Sequence, residues 1–412
     1  MHILVLTPEY PPNVVGGLGQ HVAELTRALA AAGVEVTVFT ALRPHENGEE
    51  LENSPRLTIH RVRDAAPSPL SFCEEVTQRN LALLEAVLRW VARGRRFDLV
   101  HAHDWLTAPA ARAVKHALQI PLIATIHATE FGRHGGLFND LQRHISDIEW
   151  WLAYEAWRVI CCSRAMHAEL QRIFQVPADK IDVIPNGVSL KPDHARQEIQ
   201  DARRRYAQDH ERLVFFVGRL VWEKGVDLLL KALPYVLASH PDTVLVIAGK
   251  GPERDALAAL AAELGVAPRV RFAGYISDRE RNTLYQAADV AVFPSRYEPF
   301  GIVALEAMAL GAPLVVSGSG GLAEVVTHRK TGLLFHPGDP RSLAEQLIAA
   351  LSAPALCRAM ARRALQVVKD HYSWEHVAQQ TLAVYRRVLE AAKRHPKEPR
   401  DTRTPVASLR RA

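Results

Sequence analysis

Short apolar runs alternate with longer amphipathic stretches along almost the whole chain. His2–Thr7, Val34–Thr40, Leu57–Val62, Asp98–His101, Leu122–His127 and Val159–Ser163 have the length and apolar character of buried strands. Between them, Gly19–Ala32 and Thr77–Arg93 carry apolar residues at helical spacing and stop at Gly33 and Gly94, as helices do where a glycine can turn left-handed. Ile181–Ile184 then runs into Pro185-Asn186-Gly187, a turn signal. A second series follows. Leu213–Val217, Thr243–Ala248, Val270–Phe272, Val290–Phe293, Pro313–Val316 and Gly332–Phe335 read as strands. Gly225–Ser239, Glu253–Leu264 and Asp278–Ala288 read as helices between them, and Trp374–Arg394 as a last helix.

Strands that alternate with helices imply parallel sheets covered on both faces, so the fold class is α/β. Two such series imply two Rossmann-like domains, 1–190 and 191–370, with the break near 187–212, where 191–194 and a run of charges interrupt the pattern. Ligands of open parallel sheets bind beyond the carboxyl ends of the strands. Two domains face to face would therefore make a cleft, and residues just after strands are the candidates for chemistry.

Composition changes this picture little. The 412 residues are 48% hydrophobic and 23% charged, which suits a globular chain. No apolar run is long enough to span a bilayer, and Met1–Thr7 lacks the basic start of a signal peptide, so a cytoplasmic protein is expected. The formal charge of +5 lies wholly in residues 393–412, since the rest of the chain carries equal numbers of each sign. That tail is expected to be disordered and solvated, and nucleic acid is not an expected partner. Cys73, Cys161, Cys162 and Cys357 show no metal spacing and read as buried thiols.

The densest chemistry lies in Glu298-Pro-Phe-Gly-Ile-Val-Ala-Leu-Glu306, which follows one apolar run and opens a helix that ends at Gly311. A helix start presents free N–H groups and favours phosphate. The carboxylates of Glu298 and Glu306 could grip sugar hydroxyls on either side of such a phosphate, with the Phe300 and Gly301 amides between them. In Gly218-Arg-Leu-Val-Trp-Glu-Lys-Gly225, Arg219 offers a planar fork and Lys224 a point charge to a diphosphate. Gly16-Gly17-Leu-Gly19 lets backbone approach a ligand, or is a packing turn. It is not the dinucleotide fingerprint, and Thr40-Ala-Leu-Arg43 supplies no acidic residue for a ribose, which argues against an oxidoreductase. His127 ends one strand on the cleft side. Asp104 and Trp105 follow another, in which His101 and His103 are read as facing opposite ways, so that they do not share a metal. Tyr275 stands at a strand end, either to stack on a nucleobase or as a core residue. Pro185-Asn-Gly-Val188 reads as a hinge.

The E-x7-E frame, the G-R-x4-K-G loop, the glycine-rich turn and the histidine-bearing strand occur in the order of family 4 of the retaining GT-B glycosyltransferases. Up to about residue 390 the chain resembles that family, notably the glycogen and starch synthases. The resemblance implies the GT-B fold and a helix over 371–392 that crosses back to the first domain. It implies transfer of a hexose, most often glucose, from ADP-glucose or UDP-glucose with retention at the anomeric carbon. The G-R-x4-K-G loop resembles the family's diphosphate-binding loop, and the mechanism expected for the site has Glu306 holding the ribose, Arg219 and Lys224 the diphosphate, and Glu298 with the Phe300/Gly301 amides orienting the sugar. His127 contacts the sugar from the first domain, and Asp104 lies towards the acceptor. No Asp-x-Asp pair is present of the kind by which the other main glycosyltransferase fold holds a metal, so metal-independent chemistry without a cofactor is expected. The chain departs from the bacterial synthase pattern at Val14-Val-Gly-Gly17, where Lys-x-Gly-Gly is usual. Thr129–Gly136 and Ile148–Trp151 suggest a loop for an oligosaccharide acceptor. The competing readings are another hexosyltransferase of the family (mannosyl transfer to lipid, maltose-1-phosphate or trehalose synthesis), a sugar-nucleotide epimerase, and a non-catalytic carbohydrate-binding protein.

Overall fold

The computed structural model describes residues 1–14, 16–42, 50–63, 71–190 and 194–394. Val15, Arg43, the 191–193 break and all but the first two residues of the basic tail lie outside them. The first sheet has eight strands: β1 (His2–Leu6), β2 (Glu35–Ala41), β3 (Glu50–Ser54), β4 (Leu57–Val62), β5 (Leu99–His103), β6 (Leu122–Ile126), β7 (Arg158–Cys161) and β8 (Ile181–Val183). Their order is β3-β4-β2-β1-β5-β6-β7-β8. The second sheet has six, β9 (Arg212–Val217), β10 (Thr243–Ala248), β11 (Val270–Gly274), β12 (Val290–Phe293), β13 (Leu314–Ser317) and β14 (Leu333–Phe335), in the order β11-β10-β9-β12-β13-β14.

All pairings in the second sheet are parallel. In the first sheet only β3 runs antiparallel, against β4 at the edge. Its sequence, Glu-Leu-Glu-Asn-Ser, has one apolar residue, so no alternation announces it. The helix expected from Thr77 starts at Phe72, because Ser71 and Glu74 form a capping box that satisfies the first amides. The polar helix Arg196–Arg204 falls in the expected domain break and packs on helix Asp278–Ala287, tied by Arg279 Nε to Glu198 Oε1 at 2.6 Å.

Three apolar clusters hold these layers. One spans the facing sides of both lobes, from Leu4 and Val100 to Phe293 and Leu305. A second fills the far face of the second sheet, around Leu229, Leu245 and Leu347. The third covers the far face of the first sheet and takes in Trp374, Val377 and Tyr385 from the last helix, Trp374–Arg394. That helix lies along helix Gly17–Ala31 of the first lobe. Tyr385 is fully buried there and its hydroxyl meets His101 Nδ1 at 2.7 Å, while His101 Nε2 meets Thr125 Oγ1 at 2.7 Å. A buried imidazole with both nitrogens satisfied is a structural group.

Candidate active site

Each sheet reverses its strand order once, between β1 and β5 in the first lobe and between β9 and β12 in the second. A crevice opens at such a switch point because the connections on its two sides leave in opposite directions. The four expected motifs follow these four strands: the glycine-rich turn after β1, Asp104 after β5, the Arg219–Lys224 loop after β9, and Glu298 after β12. His127 follows β6, next to β5.

Lys224 Nζ donates to Glu298 Oε2 at 2.6 Å, and Ser295 Oγ donates to the same oxygen at 3.3 Å. Both ionic side chains are largely buried. The ammonium carries three N–H donors and the Glu298 bond uses one. The loop reaches this position only because Gly225 has φ +66°, where an added Cβ would stand 2.1 Å from the Pro294 carbonyl oxygen of the neighbouring strand end. Gly301 (φ +103°) turns the chain in the same way into helix Ile302–Ala309. Phe300 is buried and packs near Tyr372, so that residue can offer only its backbone to the cleft. Glu306 lies on that helix, and its Oε1 accepts from Arg281 at 3.2 Å. Arg219 is half-exposed and pairs with Glu223 at 3.2 Å. Tyr275 is 75% exposed, which rules out the core role and leaves its ring open near the Lys250 ammonium.

The first lobe meets this frame closely. An added Cβ at Gly17 would come within 3.0 Å of Ile302, so the glycine-rich turn abuts the start of the helix that carries Glu306. Gly16 is open to solvent and donates to Glu9 Oε2 at 3.1 Å. Ser163 Oγ donates to the Pro299 carbonyl at 2.6 Å, and Glu324 accepts from the amides of Arg164 and Ala165. The Tyr297 hydroxyl accepts from Thr129 N and donates to Glu169. The His127 amide donates to Asp104 Oδ1 at 2.7 Å, and Asp104 holds the uncommon backbone φ of +57°. Burial pushes the Asp104 carboxyl up to about 6, against the opposite pulls of Arg133 and the His127 amide. Burial, then the charge of Arg133, lowers the His127 imidazole to about 3, so it is neutral at pH 7.

One expectation fails. His101 and His103 do not face opposite ways; their ring centroids are 4.3 Å apart. Residues two apart in a strand share a face, and β5 runs through His103. Four further groups carry no motif: Arg281, Ser295, Tyr297 with Glu169, and Glu149. Glu149 accepts from the Glu130 amide at 2.9 Å, and burial pushes its carboxyl up to about 9. Only a carboxylate inside the mostly buried face of helix Asp140–Glu155 hinted at it.

Residues 15–191 match the family model described as Glycosyltransferase Family 4, and residues 198–367 match the one described as Glycosyl transferases group 1. The glycogen synthase of Mycobacterium tuberculosis is 39% identical over 97% of this chain and 97% of its own. The chain belongs to glycosyltransferase family 4. A D-inositol 3-phosphate glycosyltransferase of Segniliparus rotundus is 30% identical to this transferase, over 91% of this chain and 85% of its own. Among solved structures, sucrose-phosphate synthase from Thermosynechococcus elongatus superposes with a TM-score of 0.81 at 28% identity, covering 95% of the transferase and 99% of that chain. The chain is thus an enzyme of GT-B fold. Among its described residues no helix is long and apolar enough to cross a membrane.

Proposed function

We propose that the transferase moves glucose from a nucleoside-diphosphate donor, ADP-glucose or UDP-glucose, to a glucan or oligosaccharide hydroxyl, with retention at the anomeric carbon. The observation that carries the donor half is the Lys224–Glu298 pair at 2.6 Å, set against the helix start at Gly301. It puts a cation, a carboxylate and unpaired amides within one switch-point crevice. In this reading Lys224 and Arg219 take the diphosphate oxygens and lower the energy of the charge that builds as the glycosidic bond to phosphate breaks. Glu298 and the Gly301 amide fix the sugar hydroxyls. Glu306, held by Arg281, takes the ribose hydroxyls, and Tyr275 stacks on the base. His127, neutral and fixed through its amide to Asp104, can donate to or accept from a sugar hydroxyl without adding charge. The cations and amides do the work that a metal does elsewhere, so no metal and no cofactor is assigned. The identity to a glycogen synthase over nearly the whole chain supports the glucan acceptor.

A second reading, transfer to a small phosphorylated acceptor, draws on Arg133. Its charge acts on Asp104, His127 and Glu149 at the acceptor side, where a sugar phosphate or inositol phosphate would need a cation. Both readings are tested by one panel: labelled ADP-, UDP- and GDP-hexoses with glycogen, maltose, glucose-1-phosphate, inositol phosphate and a lipid acceptor, read by mass spectrometry. A lengthened glucan supports the first reading and a glycosylated phosphate ester the second. A converted donor without transfer would mean an epimerase, and ligand retained unchanged would mean a binding protein.

A further inference from the structure

Three histidines from three separate segments converge behind the cleft: His21 on helix Gly17–Ala31, His103 at the end of β5, and His127 after β6. One ring nitrogen of each lies within 4.8 Å of those of the other two. His103 Nδ1 and His127 Nε2 are hydrogen-bonded to each other at 3.1 Å, so one of them carries a proton that a metal would displace. In a tetrahedral site with metal–nitrogen bonds of about 2.0–2.1 Å, neighbouring ligand nitrogens stand about 3.3 Å apart. One edge of the triangle is therefore already near the coordination length, and His21 must close the rest by a side-chain shift.

The hydrogen bonding points the same way. His101, the fourth ring in the cluster, has both nitrogens satisfied and is excluded. Among the described residues His103 Nε2 has no hydrogen-bond partner although its ring is wholly buried, while the almost wholly buried His21 ring interacts with the Asn186 side chain. Buried polar atoms left in this way are uncommon and call for a reason. Trp374 closes the far side, its ring 5.5 Å from His21, while His127 is part-exposed and leaves a way in.

We propose that His21, His103 and His127 form a binding site for one borderline transition-metal cation, of which Zn2+ is the type, and that its occupancy excludes the donor sugar. Three neutral imidazoles suit Zn2+, Co2+, Ni2+ and Cu2+ and do not suit Mg2+ or Ca2+, which take oxygen ligands. The cation would be an inhibitor and not a participant in transfer. The site itself stands on the three rings. Exclusion of the sugar rests on the role proposed for His127.

The test is titration of the full chain with Co2+, whose tetrahedral nitrogen complexes absorb in the visible. The expected result is one equivalent of bound Co2+, displaced by Zn2+ and untouched by Mg2+. Affinity should fall in His21→Asn and His103→Asn by more than the roughly 10- to 100-fold that outer-shell changes cost. Anomalous diffraction from wild-type crystals soaked in zinc gives the same answer without any variant, as a peak within the triad. No peak there, or a Co2+ spectrum unchanged in both variants, overturns the proposal. If the peak is present and Zn2+ leaves the donor KM unmoved, the metal site stands and the sugar contact of His127 is refuted.

Discussion

Lys224→Met removes one charge from the centre of the proposed donor site while filling much of the same volume. Two effects follow, and their sizes can be separated. In the folded enzyme Lys224 and Glu298 are 2.6 Å apart, with one-fifth and one-tenth of their side chains exposed. Breaking a largely buried pair leaves a carboxylate that, among the described residues, keeps the Ser295 hydroxyl alone, at a cost of about 3 kcal/mol of folding free energy. Lys224→Arg keeps the charge and should recover most of that. The catalytic effect is separate. A donor aimed at charge that develops in the transition state contributes about 3–4 kcal/mol, so kcat should fall about 100- to 1,000-fold in Lys224→Met. The assay is steady-state transfer from the nucleotide sugar at a temperature where urea titration shows the variant fully folded. Near-normal kcat in that fully folded variant would refute the diphosphate role. So would a loss that tracks the unfolded fraction as temperature is varied, since that is all a structural ion pair can give.

Glu306→Gln should raise the donor KM roughly 10- to 100-fold with little change in kcat, the value of a charged hydrogen bond made equally in ground and transition states; an unchanged KM would remove Glu306 from the donor site. Glu149 has a folded pKa raised by burial from 4.5 to about 9. The native state therefore binds the extra proton between those values, and this group's share of the stability falls as pH rises through that window, opposed up to about pH 7.5 by the buried imidazoles of His21, His101, His103 and His127, which charge only in the unfolded chain. Asp104 acts in the same direction only up to about 6. Between about pH 7.5 and 8, where unfolded imidazoles are already neutral and thiols still mostly protonated, the decline belongs to Glu149, and Glu149→Gln, which keeps an acceptor for the Glu130 amide, should flatten the melting temperature there; parallel curves would refute the assignment. Gly225→Ala places a Cβ 2.1 Å from the Pro294 carbonyl oxygen at a positive φ, and should cost more than about 1 kcal/mol in urea unfolding; an unchanged midpoint would mean that the loop is not fixed as described.

The side proposed to take the donor is legible in the sequence because its chemistry is contiguous. A strand end, a turn and a helix start occupy one short segment, and the alternation of apolar runs says on which side of a parallel sheet that segment lies. The partners were not legible, because they come from other segments. Arg281 stands 25 residues before Glu306, and Tyr297 meets Glu169 across 128 residues. His21 looked like one more residue on an amphipathic helix, and only the order β1-β5-β6 carries it to His103 and His127. Two further signals lie in the sequence itself: the period of two along β5, which puts His101 and His103 together, and the Ser71–Glu74 cap, which starts its helix at Phe72. Helix Arg196–Arg204 carries just Ile199 and Ala202 as apolar residues, one i,i+3 pair that is too short a pattern to stand out, so its packing on Asp278–Ala287 is what reveals where it belongs.

Whether residues of both lobes act on one nucleotide sugar is tested most directly by the product itself. Wild-type enzyme should be incubated with ADP-glucose or UDP-glucose and glycogen or maltose, and the new linkage read by mass spectrometry and by the anomeric proton coupling. An α-linked glucose on the acceptor, with one nucleoside diphosphate released per glucose and the yield lost in both Lys224→Met and His127→Ala, is the expected result. A β linkage, or full transfer by the His127→Ala variant, would contradict it.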